Sequence, residues 1–209
     1  MWEAYQSEGV RGFLHRPDAP PADALILTHG AGSNAAAPLL VAVAEAFAAA
    51  GFLVLRYDLP FRQSRAFGPP NPRLAEHDRE GIGQAFRAAQ ALTQGRVFAG
   101  GHSYGGRQTA VWASEHPGAA ALLLLSYPLH PPGKPDRPRT DFFPNWRTPA
   151  LFLHGSEDPF GSLEEMLDAL TLIPARTELL LSDGASHDLK RATKRLAELP
   201  PRLAAMPTE

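Results

Sequence analysis

The run Val97-Phe98-Ala99-Gly100-Gly101-His102-Ser103-Tyr104-Gly105-Gly106-Arg107 constrains this chain more than any other stretch. It reads as an apolar strand, a sharp turn and the start of a helix. Gly101 to Gly105 fits the pattern G-x-S-x-G, whose context is a strand-to-helix turn. A serine hydroxyl lifted clear by such a turn is open to a base, but the backbone there is strained and crowded. Glycine two residues before and two after the serine removes the Cβ atoms that would clash. The helix that follows points its free N–H groups and its partial positive charge at the same spot.

A chain built around that turn needs buried strands on either side, and the order of elements supplies them. Val10–His15 reads as an edge strand, and Ala24–Thr28 as a strand buried on both faces. Pro38–Ala50 has a helical apolar face ended by Gly51. Phe52–Tyr57 is the next strand. Residues Asp58 to Pro72 read as irregular, and Glu80–Thr93 as a helix. Arg96–Gly100 and Tyr104–Glu115 are the strand and helix of the turn. Ala120–Ser126 is a further buried strand, followed by a polar, proline-rich loop from Tyr127 to Pro149. Ala150–His154 is a strand, Ser162–Leu172 a helix, Glu178–Leu181 a last strand, and Leu189 to about Leu199 a closing helix. Strands alternating with short helices predict an α/β fold. The expected architecture is a three-layer, doubly wound, mostly parallel sheet in one domain over residues 1–209.

Other classes are disfavoured by composition. A formal net charge of −2 offers no basic face for nucleic acid. The chain has no cysteine, so disulfides, thiolate metal sites and a cysteine nucleophile are excluded, which fits a cytoplasmic protein. The start of the sequence is polar and acidic and lacks the pattern of a signal peptide. No apolar run approaches the ~18 residues of a membrane span. No His–carboxylate spacing such as H-E-x-x-H suggests a metal, and no cofactor is expected.

In a parallel sheet, ligands gather at the C-terminal ends of the strands. The first buried strand ends in His29-Gly30-Ala31-Gly32. Ser103 follows the strand of the turn. Gly155-Ser156-Glu157-Asp158-Pro159 follows the strand Ala150–His154, and Ser182-Asp183-Gly184-Ala185-Ser186-His187-Asp188 follows the last strand. A nucleophile, a carboxylate and a histidine thus occur in that chain order. Of eight histidines, only His187 follows the last strand; His29, His102 and His154 read as structural, and His15, His77, His116 and His130 lie in turns or loops. Glu157 and Asp158 are adjacent, and one of them can face the histidine.

These motifs resemble the α/β-hydrolase family over about Val10 to Leu199. The matching parts are the G-x-S-x-G turn, the His-Gly loop, the His-Gly-x-x-Asp-Pro segment and the late histidine. The sequence looks most like small lidless members akin to dienelactone hydrolases, with serine where those carry cysteine. The resemblance implies Ser103 as nucleophile, His187 as base and Asp158 as the acid that orients it. It implies an oxyanion hole from the backbone N–H groups of Ala31 and Tyr104. The interval from Tyr127 to Pro149 is too short and too rich in proline for a helical cap, so an open site is expected.

The implied activity is that of a serine hydrolase, carboxylesterase-like, acting on a small-molecule ester or thioester without nucleic acid or membrane as partner. The alternative is a non-catalytic binding or scaffold protein on the same fold, although such proteins usually lose a triad member. The two bordering loops carry Arg56, Arg62 and Arg65, and Lys134, Arg137, Arg139 and Arg147. Solvated surface charge is the plain reading of these. Arg62 and Arg65 are the candidates to hold a carboxylate or phosphate of the substrate.

Overall fold

A computed structural model describes residues 2–207. Eight strands form one sheet: β1 (Trp2–Ser7), β2 (Val10–His15), β3 (Asp23–Thr28), β4 (Phe52–Tyr57), β5 (Val97–His102), β6 (Leu122–Leu125), β7 (Ala150–Gly155) and β8 (Thr177–Ser182). Their spatial order is β1-β2-β4-β3-β5-β6-β7-β8. The β1–β2 and β2–β4 pairs are antiparallel, and every other pair is parallel. The helices are α1 (Pro38–Ala49), α2 (Pro60–Ser64), α3 (Ala75–Gln90), α4 (Tyr104–Glu115), α5 (Leu163–Leu170), α6 (Thr193–Leu196) and α7 (Leu199–Ala204).

The sheet has a core on each face, as the apolar runs require. On one face Ile82, Phe86, Trp112 and Met166 of α3, α4 and α5 pack on the strands. On the other, Val43 and Phe47 of α1 pack together with Leu196, Leu199 and Leu203 of α6 and α7. Strands β4, β6 and β7 are buried at every residue, which is why they read as continuous apolar runs. Between β6 and β7 lies only a short 3-10 turn, Phe143–Asn145, so no helical cap covers the C-terminal edge of the sheet.

The largest differences from the sequence reading lie in four places. β1 carried no apolar alternation and was not expected. It is held by its backbone pairing with β2 across the Glu8-Gly9 turn, where Gly9 has φ +72°, and most of its side chains face solvent. The stretch Asp58–Pro72, expected to be irregular, contains α2. Helix α3 starts at Ala75 rather than Glu80, because its first turn is charged and shows no apolar period. The closing helix is split into α6 and α7, since Pro200 and Pro201 can start a helix but cannot continue one.

One polar cluster is built into the edge of the sheet. Arg56 is buried, and its Nε donates to His15 Nε2 at 2.7 Å. The rings of Phe13 and Trp2 cover the guanidinium. His15 must be neutral to accept that bond. Burial first, and then the Arg56 charge, push it down to about 4 from 6.5. The unfolded chain takes up this proton near 6.5 and the folded chain only near 4. The contribution is therefore complete above pH ~6.5 and is lost as pH falls toward ~4, roughly 3 kcal/mol in all. Melting temperatures measured from about pH 7 to about pH 4 should fall, and less steeply for His15→Gln, which keeps an acceptor for Arg56. Identical slopes in the two proteins would show that His15 contributes nothing to acid sensitivity.

Candidate active site

Ser103 sits between β5 and α4 with φ 51° and ψ −116°, a conformation that L residues seldom adopt. Holding it costs on the order of 1–3 kcal/mol, supplied by the packing around it. That packing explains the flanking glycines. A Cβ on Gly101 would come within 2.7 Å of Gly106 N, and one on Gly105 within 2.4 Å of His29 O. The helix lies directly on the strands, leaving no room for side chains at these points. Ser103 N–H is anchored to Leu125 O on β6 at 2.9 Å.

Two other strand ends bring partners to this hydroxyl. His187 Nε2 lies 2.7 Å from Ser103 Oγ, and its Nδ1 lies 2.8 and 2.9 Å from the two Asp158 carboxylate oxygens. A carboxylate only accepts, so Nδ1–H donates to Asp158 and Nε2 is left to accept the Ser103 O–H. The Asp158 side chain is fully buried, while Glu157 beside it points to solvent. Burial alone would raise the Asp158 carboxyl. The hydrogen bond and charge of His187, the Phe160 N–H and nearby His154 outweigh that and hold it below the usual carboxylate range. The Phe160 ring stacks on His187 at 4.0 Å between centroids. The structure thus places Ser103, Asp158 and His187 in one hydrogen-bonded series, a geometry in which a hydroxyl can be deprotonated as it attacks.

The other histidines hold the loops. His102 Nε2–H donates to the His187 carbonyl at 2.8 Å, fixing the loop that carries His187. His154 Nε2–H donates to Gly161 O at 2.7 Å and shapes the loop of Asp158. His29 accepts Leu59 N–H on Nε2 at 3.1 Å and donates from Nδ1 to Gly30 O.

The loop after β3 lies against the elbow. A Cβ built on Gly30 would be 3.4 Å from Ser103 Cβ. The residue before Ala31 is thus packed on the elbow. Tyr104 N–H is the first of α4, and among the described residues neither it nor Ala31 N–H has an acceptor within the chain.

Arg62 requires a correction. It is buried and its guanidinium is used within the chain, so it cannot hold a substrate anion. Nε donates to Ser33 O at 2.8 Å, Nη2 to Ala31 O at 2.9 Å and Gly68 O at 3.1 Å, and Nη1 to Ala66 O at 2.7 Å. It clasps the loop that carries Ala31. Arg65 turns back on the same segment and donates to Pro69 O. Sequence position could not distinguish an arginine reaching out from one reaching in. Asp78 was missed altogether. It is buried on α3, accepts Phe61 N–H at 3.0 Å and Tyr104 O–H at 2.7 Å, and so ties α2 to the residue after Ser103. An aspartate in a helical first turn gives no more signal than a cap would.

An apolar groove of about 480 Å³ opens beside the elbow, lined by Gly30, His102, Pro38, Leu39, Leu40 and Leu189 among others. A larger cleft of about 700 Å³ lies at the opposite, N-terminal ends of β5 and β6 and includes none of these residues.

A mostly parallel eight-stranded sheet, helices on both faces and a serine on the strand-to-helix turn of an interior strand define the α/β-hydrolase class. The chain belongs to the alpha/beta hydrolase domain family, whose family model matches residues 21–205. Solved structures share the fold. An alpha-beta serine hydrolase homologue from Coxiella burnetii superposes with a TM-score of 0.77 at 19% identity, over 98% of this chain and 97% of that one. TT1662 from Thermus thermophilus gives 0.77 at 24% identity, over 98% of each chain. Dienelactone hydrolase from Anabaena variabilis gives 0.76 at 22% identity, over 100% of this chain and 99% of that one.

Proposed function

We propose that the protein is a serine hydrolase that cleaves a small ester or thioester through an acyl-enzyme on Ser103. The observation that carries this reading is the unbroken hydrogen-bond series Asp158–His187–Ser103. His187 takes the Ser103 proton as Oγ attacks the carbonyl carbon. Asp158 holds the imidazole in the tautomer that can accept and stabilises the imidazolium. The oxyanion is met by Tyr104 N–H and Ala31 N–H, each such donor being worth ~2.7–4 kcal/mol of transition-state stabilisation. The alcohol or thiol leaves with the proton from His187, and water then frees the acid by the same route. With no cap over the edge of the sheet, a small substrate reaches Ser103 directly, and the groove beside Gly30 and His102 suits its apolar part.

The decisive test is covalent. A fluorophosphonate probe at neutral pH should label the wild-type protein and leave Ser103→Ala unlabelled. Absence of labelling on the wild type would overturn the enzyme reading.

In this reading Arg62 is a positioning residue. Arg62→Lys keeps the charge but loses the planar fork that reaches several carbonyls at once. Steady-state kinetics on a p-nitrophenyl ester should show kcat lowered roughly tenfold or more with little change in KM, because an oxyanion donor is misaimed. A rise in KM at unchanged kcat would assign Arg62 to substrate binding instead.

A further inference from the structure

The two oxyanion donors of the proposed reaction come from separate parts of the fold. Tyr104 N–H opens α4, and Ala31 N–H lies in the loop after β3. An oxyanion is held well only if both donors point at one spot, and hydrogen bonds weaken steeply as that aim is lost. Neither backbone is stiff by itself. The first N–H groups of a helix have no partner within it, and Ser103 just before Tyr104 holds a φ of 51°. Ala31 is flanked by Gly30 and Gly32.

Asp78 is joined to both. Its Oδ2 accepts the Tyr104 O–H at 2.7 Å, and its Oδ1 accepts Phe61 N–H at 3.0 Å. The residue after Phe61 is Arg62, whose Nη2 donates to Ala31 O at 2.9 Å and whose Nε donates to Ser33 O at 2.8 Å. Tyr104 and Ala31 are thereby connected through one carboxylate, the start of α2 and one guanidinium. Close packing braces the connection. The Phe61 and Tyr104 rings meet edge to face with centroids 5.8 Å apart, and a Cβ on Gly81 of α3 would lie 2.5 Å from the Pro60 ring of α2. Asp78 is buried, and among the described residues no cationic side chain lies within ion-pair reach of it. Arg79, beside it in α3, donates to Gln108 Oε1 at 3.2 Å, and His29 is neutral because its Nε2 accepts Leu59 N–H. A buried carboxylate without a counter-charge costs stability. What it supplies here is an acceptor on each oxygen, so that one side chain holds donors from two different elements.

We propose that Asp78 is a positioning residue that sets the spacing of the two oxyanion donors, through Tyr104 on one side and through α2 and Arg62 on the other. The proposal rests on the Ser103 reading. Asp78 touches no reacting atom. Without it the first turn of α4 and the Ala31 loop shift independently, and the donors meet the oxyanion misaimed. The ground-state carbonyl depends less on them and binds as before.

Tyr104→Phe cuts one arm of the connection and Asp78→Ala cuts both. Steady-state kinetics on a p-nitrophenyl ester should show kcat lowered roughly fivefold in the first and roughly tenfold or more in the second, with little change in KM. The double variant should be no slower than Asp78→Ala, since the two groups form one contact. Asp78→Asn should recover most of the rate, its oxygen accepting Phe61 N–H and its NH₂ donating to the Tyr104 oxygen. The matching thionoester reports on the donors directly, because sulfur is a weak acceptor. The ester-to-thionoester ratio of kcat/KM should fall along with kcat in Tyr104→Phe and Asp78→Ala. Tyr104→Phe removes a single oxygen atom and keeps the test decisive should Asp78→Ala not fold. Unchanged kcat in Tyr104→Phe, a rise in KM instead, or equal losses on ester and thionoester overturns the Asp78 assignment and leaves the Ser103 reading intact. A wild type that is neither labelled by fluorophosphonate nor active on the ester overturns the Ser103 reading, and the assignment falls with it.

Discussion

Ser103→Ala should lower kcat on a p-nitrophenyl ester by roughly 10⁵–10⁶-fold, the scale seen when a triad nucleophile is removed. His187→Ala should lose about as much. The double variant should lose little more than either single one, because the two groups act on one proton and neither is useful alone. The physical basis is the 2.7 Å contact between His187 Nε2 and Ser103 Oγ. A hydroxyl is a weak nucleophile at neutral pH until a base that close accepts its proton. A rate above that in water should persist in all three variants, supplied by the oxyanion donors and by binding. Losses that multiply in the double variant would show that the two side chains act in separate steps.

Asp158→Asn should lower kcat by on the order of 10⁴-fold while the fold survives. The side chain is fully buried and nearly isosteric with its replacement. The amide oxygen of the replacement would still accept the Phe160 N–H that Asp158 Oδ1 accepts at 2.9 Å. The amide NH₂ would then face His187 Nδ1 and require that nitrogen to accept. The imidazole proton moves to Nε2, where it can no longer receive the Ser103 proton. Because the Asp158 carboxyl is held below the usual range, its stabilising contribution is present above the unfolded carboxylate value, ~3.9, and fades as pH falls through the lower folded value. Kinetics of the variant alongside its circular dichroism separate the two effects. A loss of less than about tenfold with the fold intact would show that the carboxylate does not orient His187.

How much of this was legible before the structure depends on whether the signal was local. Buried strands such as β6 and β7 announce themselves by uninterrupted apolar residues. Strand β1 shows no such pattern, because a mostly exposed edge strand is held by backbone bonds that any residues can make. The first turn of α3 is hidden for a similar reason: Glu76, His77, Asp78 and Arg79 look like loop, although Asp78 is buried and bonded. The candidate residues were found because they follow strands, and a parallel sheet gathers its strand ends on one edge.

The sequence by itself determined the alternation of strand and helix, the glycines that let α4 lie on the sheet, and the order Ser103, Asp158, His187 along the chain. These are local facts of residue size, period and backbone freedom. Only the tertiary structure decided where side chains point. Ser103 and His187 are 84 residues apart, and His187 and Asp158 are 29 apart, so their contacts exist only once the sheet has formed. The same packing turned Arg62 inward onto the Ala31 loop. An arginine's role depends on which carbonyls and charges lie within its reach, and that is set by elements distant in sequence.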